Sequence, residues 1–175
     1  MVSRKILAED LSPEYALSLI KRVDSNYEII KEIVDGLLEP YIGDINAIMH
    51  ECSFLASRDF KSTDLAQLDK VILQIPPIIN NAIEGIKELS SKYNYISAIK
   101  KELYNSTMIS SDGRVADKEA EANMACQQES IVQSAYETSL KALRDKIENL
   151  KEMLYSAKKV LNSLEMEFRV SNSNY

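Results

Sequence analysis

The sequence predicts an all-α protein in which a long, coiled-coil-like antiparallel helical hairpin carries shorter N-terminal helices. Gly and Pro number only four each among 175 residues, too few for turn-rich β structure. Apolar residues make up 45% of the chain, and over long stretches they recur at steps of three and four. One strong turn signal, Ser110-Ser111-Asp112-Gly113-Arg114, separates the two longest stretches.

Residues 1–62 are expected to form the short helices. Ser12 followed by Pro13 is a helix start, because serine caps the first turn and proline suits the first helical position. The two glycines and the proline between residues 36 and 43 predict a break in this region. The expected helices cover about 13–22, 25–35 and 44–55.

Residues 63–170 are expected to form the hairpin. Asp64, with Gln67 three residues later, begins a helix. Pro76-Pro77 either separates this helix from a second one or kinks a single helix. An apolar stripe from Ile79 to Leu103 then leads to the turn at residues 110–114.

The last helix is expected to run without interruption from about Ala116 to Arg169, since this stretch contains no Gly or Pro. The following residues 171–175 are predicted to be a disordered tail. From Leu140 onward the apolar residues keep heptad spacing over four heptads, the signature of a coiled-coil seam. The seam consists of Leu140, Leu143, Ile147, Leu150, Leu154, Ala157, Leu161, Leu164 and Phe168.

The hairpin partner is expected to be too short for this seam. Counted from Pro77, the partner has ~32 residues, or ~48 Å, against ~54 residues, or ~80 Å, in the last helix. The far end of the seam therefore needs a cover, because a bare apolar seam is unfavourable in water. The candidates are residues 64–75, the N-terminal helices or a second copy of the chain. We favour the second copy and expect a homo-oligomer.

Charge and targeting signals narrow the functional classes. The net charge is −6, which opposes encounter with duplex DNA or an anionic membrane. Residues 1–76 carry 8 basic and 13 acidic groups, whereas residues 77–175 carry 13 and 14. The N-terminus has no apolar run long enough for a signal peptide, and no stretch reaches the ~18 apolar residues of a membrane span. The expectation is a cytoplasmic protein that binds no membrane.

No catalytic or metal-binding pattern is present, so we expect a non-enzymatic protein without a cofactor. His50 and Cys52 do not face each other on a helix, and no second histidine or CxxC pair completes a site. Cys126 lies far from Cys52 in the sequence, and both are expected to be reduced thiols. Glu119 and Glu121 lie in the first turns of a helix, where acidic side chains normally complement the helix dipole.

Two basic clusters are candidates for nucleic-acid contact. Aromatic rings alternate with cations around Lys92, Tyr95, Lys100 and Lys101, a mixture that suits single-stranded DNA because rings stack on bases and lysines follow the phosphates. The alternative is that the neighbouring tyrosines belong to the apolar stripe and the lysines are merely solvated. Arg144, Lys151 and Lys158 occupy heptad position e, where interhelical ion pairs are the commoner function and a phosphate-binding ridge the alternative.

The layout from Leu68 to Phe168 resembles a known class of helical hairpins. Its elements are Leu-Asp-Lys-Val-Ile-Leu, Ile-Pro-Pro-Ile-Ile, Lys-Lys-Glu-Leu-Tyr, the Asp-Gly-Arg turn and Asp-Lys-Glu-Ala-Glu-Ala. This arrangement resembles small phage-encoded accessory proteins, including the UvsY-type recombination mediators. The resemblance implies a non-enzymatic oligomer in the host cell that binds single-stranded DNA and helps to load a recombinase. The alternative is a scaffold, adaptor or inhibitor that binds only protein.

Overall fold

The computed structural model describes residues 13–57 and 65–173. Within this part of the chain every regular element is helical: α1 (Pro13–Ala56), α2 (Leu65–Ser110), α3 (Val115–Ala125) and α4 (Gln127–Ser173). The predicted all-α class and the long helical hairpin are confirmed. None of the helices in the described ranges is long and apolar enough to cross a membrane.

The core lies where α1, α2 and α4 pack together. Tyr41 of α1 donates a hydrogen bond to Glu88 of α2, and Lys146 of α4 donates one to Asn46 of α1. α2 and α4 have their most extensive contact with each other, α1 packs on both, and α3 packs mainly on α2. The largest fully buried aliphatic side chains come from all three long helices: Ile45, Val71, Ile75, Leu143 and Leu150.

α1 differs from its predicted division into short helices, because it continues through the glycines and Pro40. Gly36, Pro40 and Gly43 are all exposed. Each interior glycine costs ~1 kcal/mol and proline ~3 kcal/mol relative to alanine. Five aliphatic side chains of the same helix are buried: Val34, Leu38, Ile45, Ile48 and Leu55. At ~1.5–3 kcal/mol each, their burial outweighs the unfavourable propensity, so the expected break is wrong.

α2 also continues through its prolines, so of the two alternatives for Pro76-Pro77 the single helix is the correct one. Both prolines are exposed, whereas Ile75 and Ile79 on either side of them are buried. Because the prolines face solvent, the carbonyls that lose their helical donors can accept hydrogen bonds from water instead. Asp64, the expected start of this helix, and Ser12, the expected cap of α1, lie outside the described residues.

The hairpin turn comprises residues 111–114. Ser111 ends α2 with two hydrogen bonds to the Thr107 carbonyl, from its amide and its hydroxyl. Gly113 has φ = +116°, a conformation that glycine adopts without steric cost.

The predicted uninterrupted last helix is wrong at one residue, Cys126, which separates α3 from α4. Cys126 has φ −90° and ψ 12°, and its buried thiol donates to the Lys100 carbonyl of α2 at 3.4 Å. This tertiary contact holds the residue away from ideal helical geometry.

The seam is covered within the molecule over its first half. Leu140, Leu143, Ile147 and Leu150 are buried, and Leu154, Ala157, Leu161 and Leu164 are half-buried. The Phe168 side chain lies outside the described residues, although α4 continues to Ser173. The cover comes from α1 and α2. α2 is 46 residues long because it includes the stretch before the prolines.

Candidate binding surfaces

An apolar groove runs between α2 and α4 near the turn end of the hairpin, and we call it the hairpin groove. Its volume is about 510 Å³. Tyr95 is 71% exposed and Ile99 36% exposed, so the groove is open to solvent. The lining residues are Ser91, Lys92, Tyr95, Ile96, Ile99, Val132 and Tyr136. A surface of this composition favours a protein partner, since its apolar side chains gain most when water is displaced.

Lys92 at the rim of the groove is already paired. Its ammonium group lies 2.6 Å from one carboxylate oxygen of Glu88, and Tyr41 donates to the other oxygen at 3.2 Å. The hydrogen bond from Lys92, followed by that from Tyr41, lowers the pKa of Glu88. The bond to Glu88 in turn raises the pKa of Lys92. The one cation lining the groove is thus neutralised on its own helix, and the groove offers little net charge.

Lys100 belongs to a polar network inside the hairpin rather than to the groove. Its ammonium group donates to the Gln133 side-chain oxygen at 3.1 Å. The Gln133 amide nitrogen donates to Ser97 at 3.1 Å and to the Tyr93 hydroxyl at 3.4 Å. A satisfied polar network between packed helices favours one register over its neighbours. The contacts of Lys100 are therefore structural.

Lys101 is exposed and lies about 180° from Lys92 around the axis of α2, nine residues along a helix of 3.6 residues per turn. The four residues expected to face DNA are therefore divided among different surfaces. Lys92 and Tyr95 share the groove, Lys100 faces α4, and Lys101 points away from both.

The basic row on α4 forms no ion pair across helices. Lys151 pairs with Glu148 one turn earlier on the same helix, at 2.7 Å, and both side chains are more than half exposed. Arg144 and Lys158 are exposed as well. The expectation that this row pairs with acids of a neighbouring helix is not met within the described residues.

A second apolar surface lies on the N-terminal part of α1, residues 17–29, which we call the α1 arm. Four of its large apolar side chains are exposed by 47–63%: Leu17, Val23, Tyr27 and Ile29. Val23 and Tyr27 continue the stripe of Ile30 and Val34 at steps of four, three and four residues. Val34 is buried and Ile30 half-buried, so the cover of this stripe ends near Ile30.

A cavity of about 410 Å³ lies at the other end of the bundle, between the end of α1, the start of α2 and α4. Cys52 is among its lining residues, and burial followed by the nearby Glu51 charge raises the pKa of its thiol. A thiol held protonated is a poor nucleophile. His50 is exposed, and the described residues contain no group of three His, Cys, Asp or Glu side chains that could hold a metal ion. Cys52 and Cys126 are both free thiols.

Val132, Tyr136 and the α1 arm are not among the residues that the sequence predicts to form a binding surface. A weak signal for each was present, because Val132 and Tyr136, like Val23 and Tyr27, are apolar pairs four residues apart. Such pairs also occur in every buried helix, so spacing alone could not identify them as uncovered. Comparison of this chain with family models, curated proteins and solved structures finds no match.

Proposed function

We propose that this protein is a non-enzymatic accessory protein of the cytoplasm that assembles through coiled-coil contacts and acts by binding protein through helical surfaces. The observation that carries this proposal is the pair of uncovered apolar surfaces, the hairpin groove and the α1 arm. Large uncovered apolar surfaces on helical proteins are typical of association sites. The resemblance to UvsY-type mediators is what supports a partner in recombination or replication.

The proposal is tested by the mass of the protein in solution. Light scattering over a range of micromolar concentrations should give a mass above that of one chain. Ile99→Asp places a charge in the hairpin groove and should reduce the mass, because burying an unpaired carboxylate is strongly unfavourable. The matched control is Ile109→Asp, also on α2 and 84% exposed, which should leave the mass unchanged. A wild-type protein that is a single chain at every concentration would contradict the proposal.

Binding of single-stranded DNA is the second candidate, and one observation favours it. The Tyr95 ring is 71% exposed beside Lys92, so a base could stack on the ring while the ammonium group approaches a phosphate. Stacking of this kind contributes ~1–3 kcal/mol per base. The net charge of −6 and the pairing of Lys92 with Glu88 oppose this binding.

Fluorescence anisotropy with a labelled oligonucleotide, repeated at several salt concentrations, tests the second candidate. If DNA binds, Tyr95→Ala should weaken binding at least fivefold, and the affinity should fall steeply with salt. The control is Tyr155→Ala, because Tyr155 is 73% exposed on α4 but lies outside the groove. No binding at low salt, or equal losses in the two variants, would exclude Tyr95 as a base-stacking site.

A further inference from the structure

The hairpin groove lies further along the α2 face against which α1 packs. Tyr41 of α1 lies against Gly85 of α2 and donates to Glu88. Glu88 pairs with Lys92, which begins the lining of the groove. The groove is therefore the direct continuation of the α2 face on which α1 already packs. None of the described α1 residues lines it.

The arm and the groove also match in register. α1 and α2 run antiparallel, with Tyr41 opposite Gly85. Fourteen residues back along α1 is Tyr27, and fourteen residues forward along α2 is Ile99. Both steps span about 21 Å at 1.5 Å per residue, so an arm that enters the groove in the register of the Tyr41–Gly85 contact would set Tyr27 against Ile99. Yet Tyr27 is 60% exposed and Ile99 36% exposed, so neither covers the other within one molecule.

We infer that the hairpin groove of each molecule is occupied by the α1 arm of a second copy, in a reciprocal exchange that rests on the proposed assembly function. In the structure α1 runs as one continuous helix through Gly36 and Pro40, and this course leaves the arm outside its own groove. A second copy can fill the groove without any change in this course. Each copy supplies one arm and one groove, so two copies satisfy both surfaces and close the assembly by twofold symmetry.

The first experiment detects the contact between molecules by cysteine cross-linking. Cys52→Ala and Cys126→Ala remove the native thiols, and Tyr27→Cys and Ile99→Cys are introduced on separate chains. After the two chains are mixed and oxidised, a non-reducing gel should show a disulfide-linked band of twice the chain mass. The control replaces Ile99→Cys by Lys101→Cys, about 200° around α2, and should give at least tenfold less of this band.

Two outcomes of the cross-linking experiment would overturn the inference. One is the absence of the cross-linked band in the mixture of folded chains. The other is a chain carrying both new cysteines that forms its disulfide within a single molecule, because the arm would then occupy its own groove.

The second experiment keeps the native cysteines, in case the cysteine-free chain does not fold. Val23→Asp with Tyr27→Asp changes two side chains that are exposed in the single chain, so helicity by circular dichroism should be retained. The mass by light scattering should fall from two copies to one. A mass of two copies that survives this change would overturn the arm exchange but leave the proposed assembly function intact. A wild type that never exceeds one chain would instead contradict the proposed function.

Discussion

At Gly85, the missing side chain makes room for an aromatic ring. A Cβ atom at this position would lie 2.6 Å from Cε1 and 2.7 Å from Cζ of Tyr41, closer than two carbon atoms approach without repulsion. The ring can lie against the α2 backbone here because there is no Cβ, and its hydroxyl then reaches Glu88. At Gly43 the missing Cβ makes room for no neighbour, because a Cβ there would meet nothing within 4 Å.

Two alanine substitutions should therefore have opposite effects on stability. Gly85→Ala forces Tyr41 out of its position, and the overpacking cost of about 1–3 kcal/mol should exceed the gain of about 0.5–1 kcal/mol in helix propensity, so the fold should be destabilised. Gly43→Ala should stabilise it by about 0.5–1 kcal/mol, because alanine is the better helix former. Urea unfolding followed by circular dichroism measures both, and equal effects at the two sites would refute the ring-packing account.

The carboxyl of Glu88 should make stability depend on pH in the acid range. Its pKa is lowered in the folded protein, first by the hydrogen bond from Lys92 and then by that from Tyr41. The unfolded chain therefore binds this proton more tightly than the folded chain. The stabilisation is complete above the ordinary glutamate pKa and is lost as the pH falls through the folded value.

The substitution Glu88→Gln tests the direction in which stability changes with pH. At pH 7 the wild type should have the larger free energy of unfolding, and the difference should shrink as the pH falls through the lowered pKa of Glu88 in the folded protein, below which the carboxyl is protonated in both states. Tyr41→Phe removes one of the two donors and should reduce the difference at pH 7. A difference that grows as the pH falls would show that the pKa is raised rather than lowered.

At the scale of the elements, burial along α4 is graded. Leu143 and Leu150 are fully buried by α1 and α2, whereas Leu161 and Leu164 further along the same heptad pattern are half-buried. The heptad spacing is equally regular at both ends of the seam, so spacing alone does not distinguish the buried leucines from the half-buried ones. The difference arises because the helices that cover the seam end before α4 does.

Leucine-to-alanine substitutions along the seam should show this gradient. Leu143→Ala should cost about 2–5 kcal/mol of unfolding free energy, because it leaves a cavity in a fully packed site. Leu164→Ala should cost less than about 1.5 kcal/mol, since its neighbours already include solvent. Chemical denaturation at low protein concentration gives both values. Equal costs would mean that the far end of α4 has a cover as complete as the centre.

At the scale of the whole molecule, the three long helices form a core at the middle of the bundle and leave apolar surfaces uncovered at the turn end. The buried aliphatic residues cluster between Val34 and Leu55 of α1 and between Leu68 and Leu89 of α2. The uncovered arm and groove lie beyond this cluster. The proposed assembly would therefore depend on residues other than those that stabilise the isolated chain.

Assembly should couple stability to concentration. If unfolding requires dissociation of two copies, each tenfold rise in concentration adds about 1.4 kcal/mol. The melting temperature should then rise by about 2–4 °C per tenfold rise in concentration. Val23→Asp with Tyr27→Asp should abolish this dependence. Thermal melts at three concentrations measure it, and a concentration-independent melt of the wild type would contradict the assembly.

The sequence by itself determined the helical class, the position of the hairpin turn and the stripes that form the core. These properties follow from local periodicity and from turn residues such as Gly113, which adopts a positive φ without steric cost. At Pro76-Pro77 the sequence allowed either two separate helices or one kinked helix. It could not choose between them, because the choice depends on whether Ile75 and Ile79 are buried together.

Only the tertiary structure decided which apolar and charged residues contact other helices and which remain exposed. Pro40 and its flanking glycines predicted a break, but burial of residues on both sides carries the helix through. Lys100 looked available for DNA, but Gln133, 33 residues away, accepts its hydrogen bond. Val23 and Val34 are both apolar residues of α1, but only Val34 meets the other helices. Partners distant in sequence decide each of these outcomes, and periodicity along a single helix carries no information about where its neighbours end.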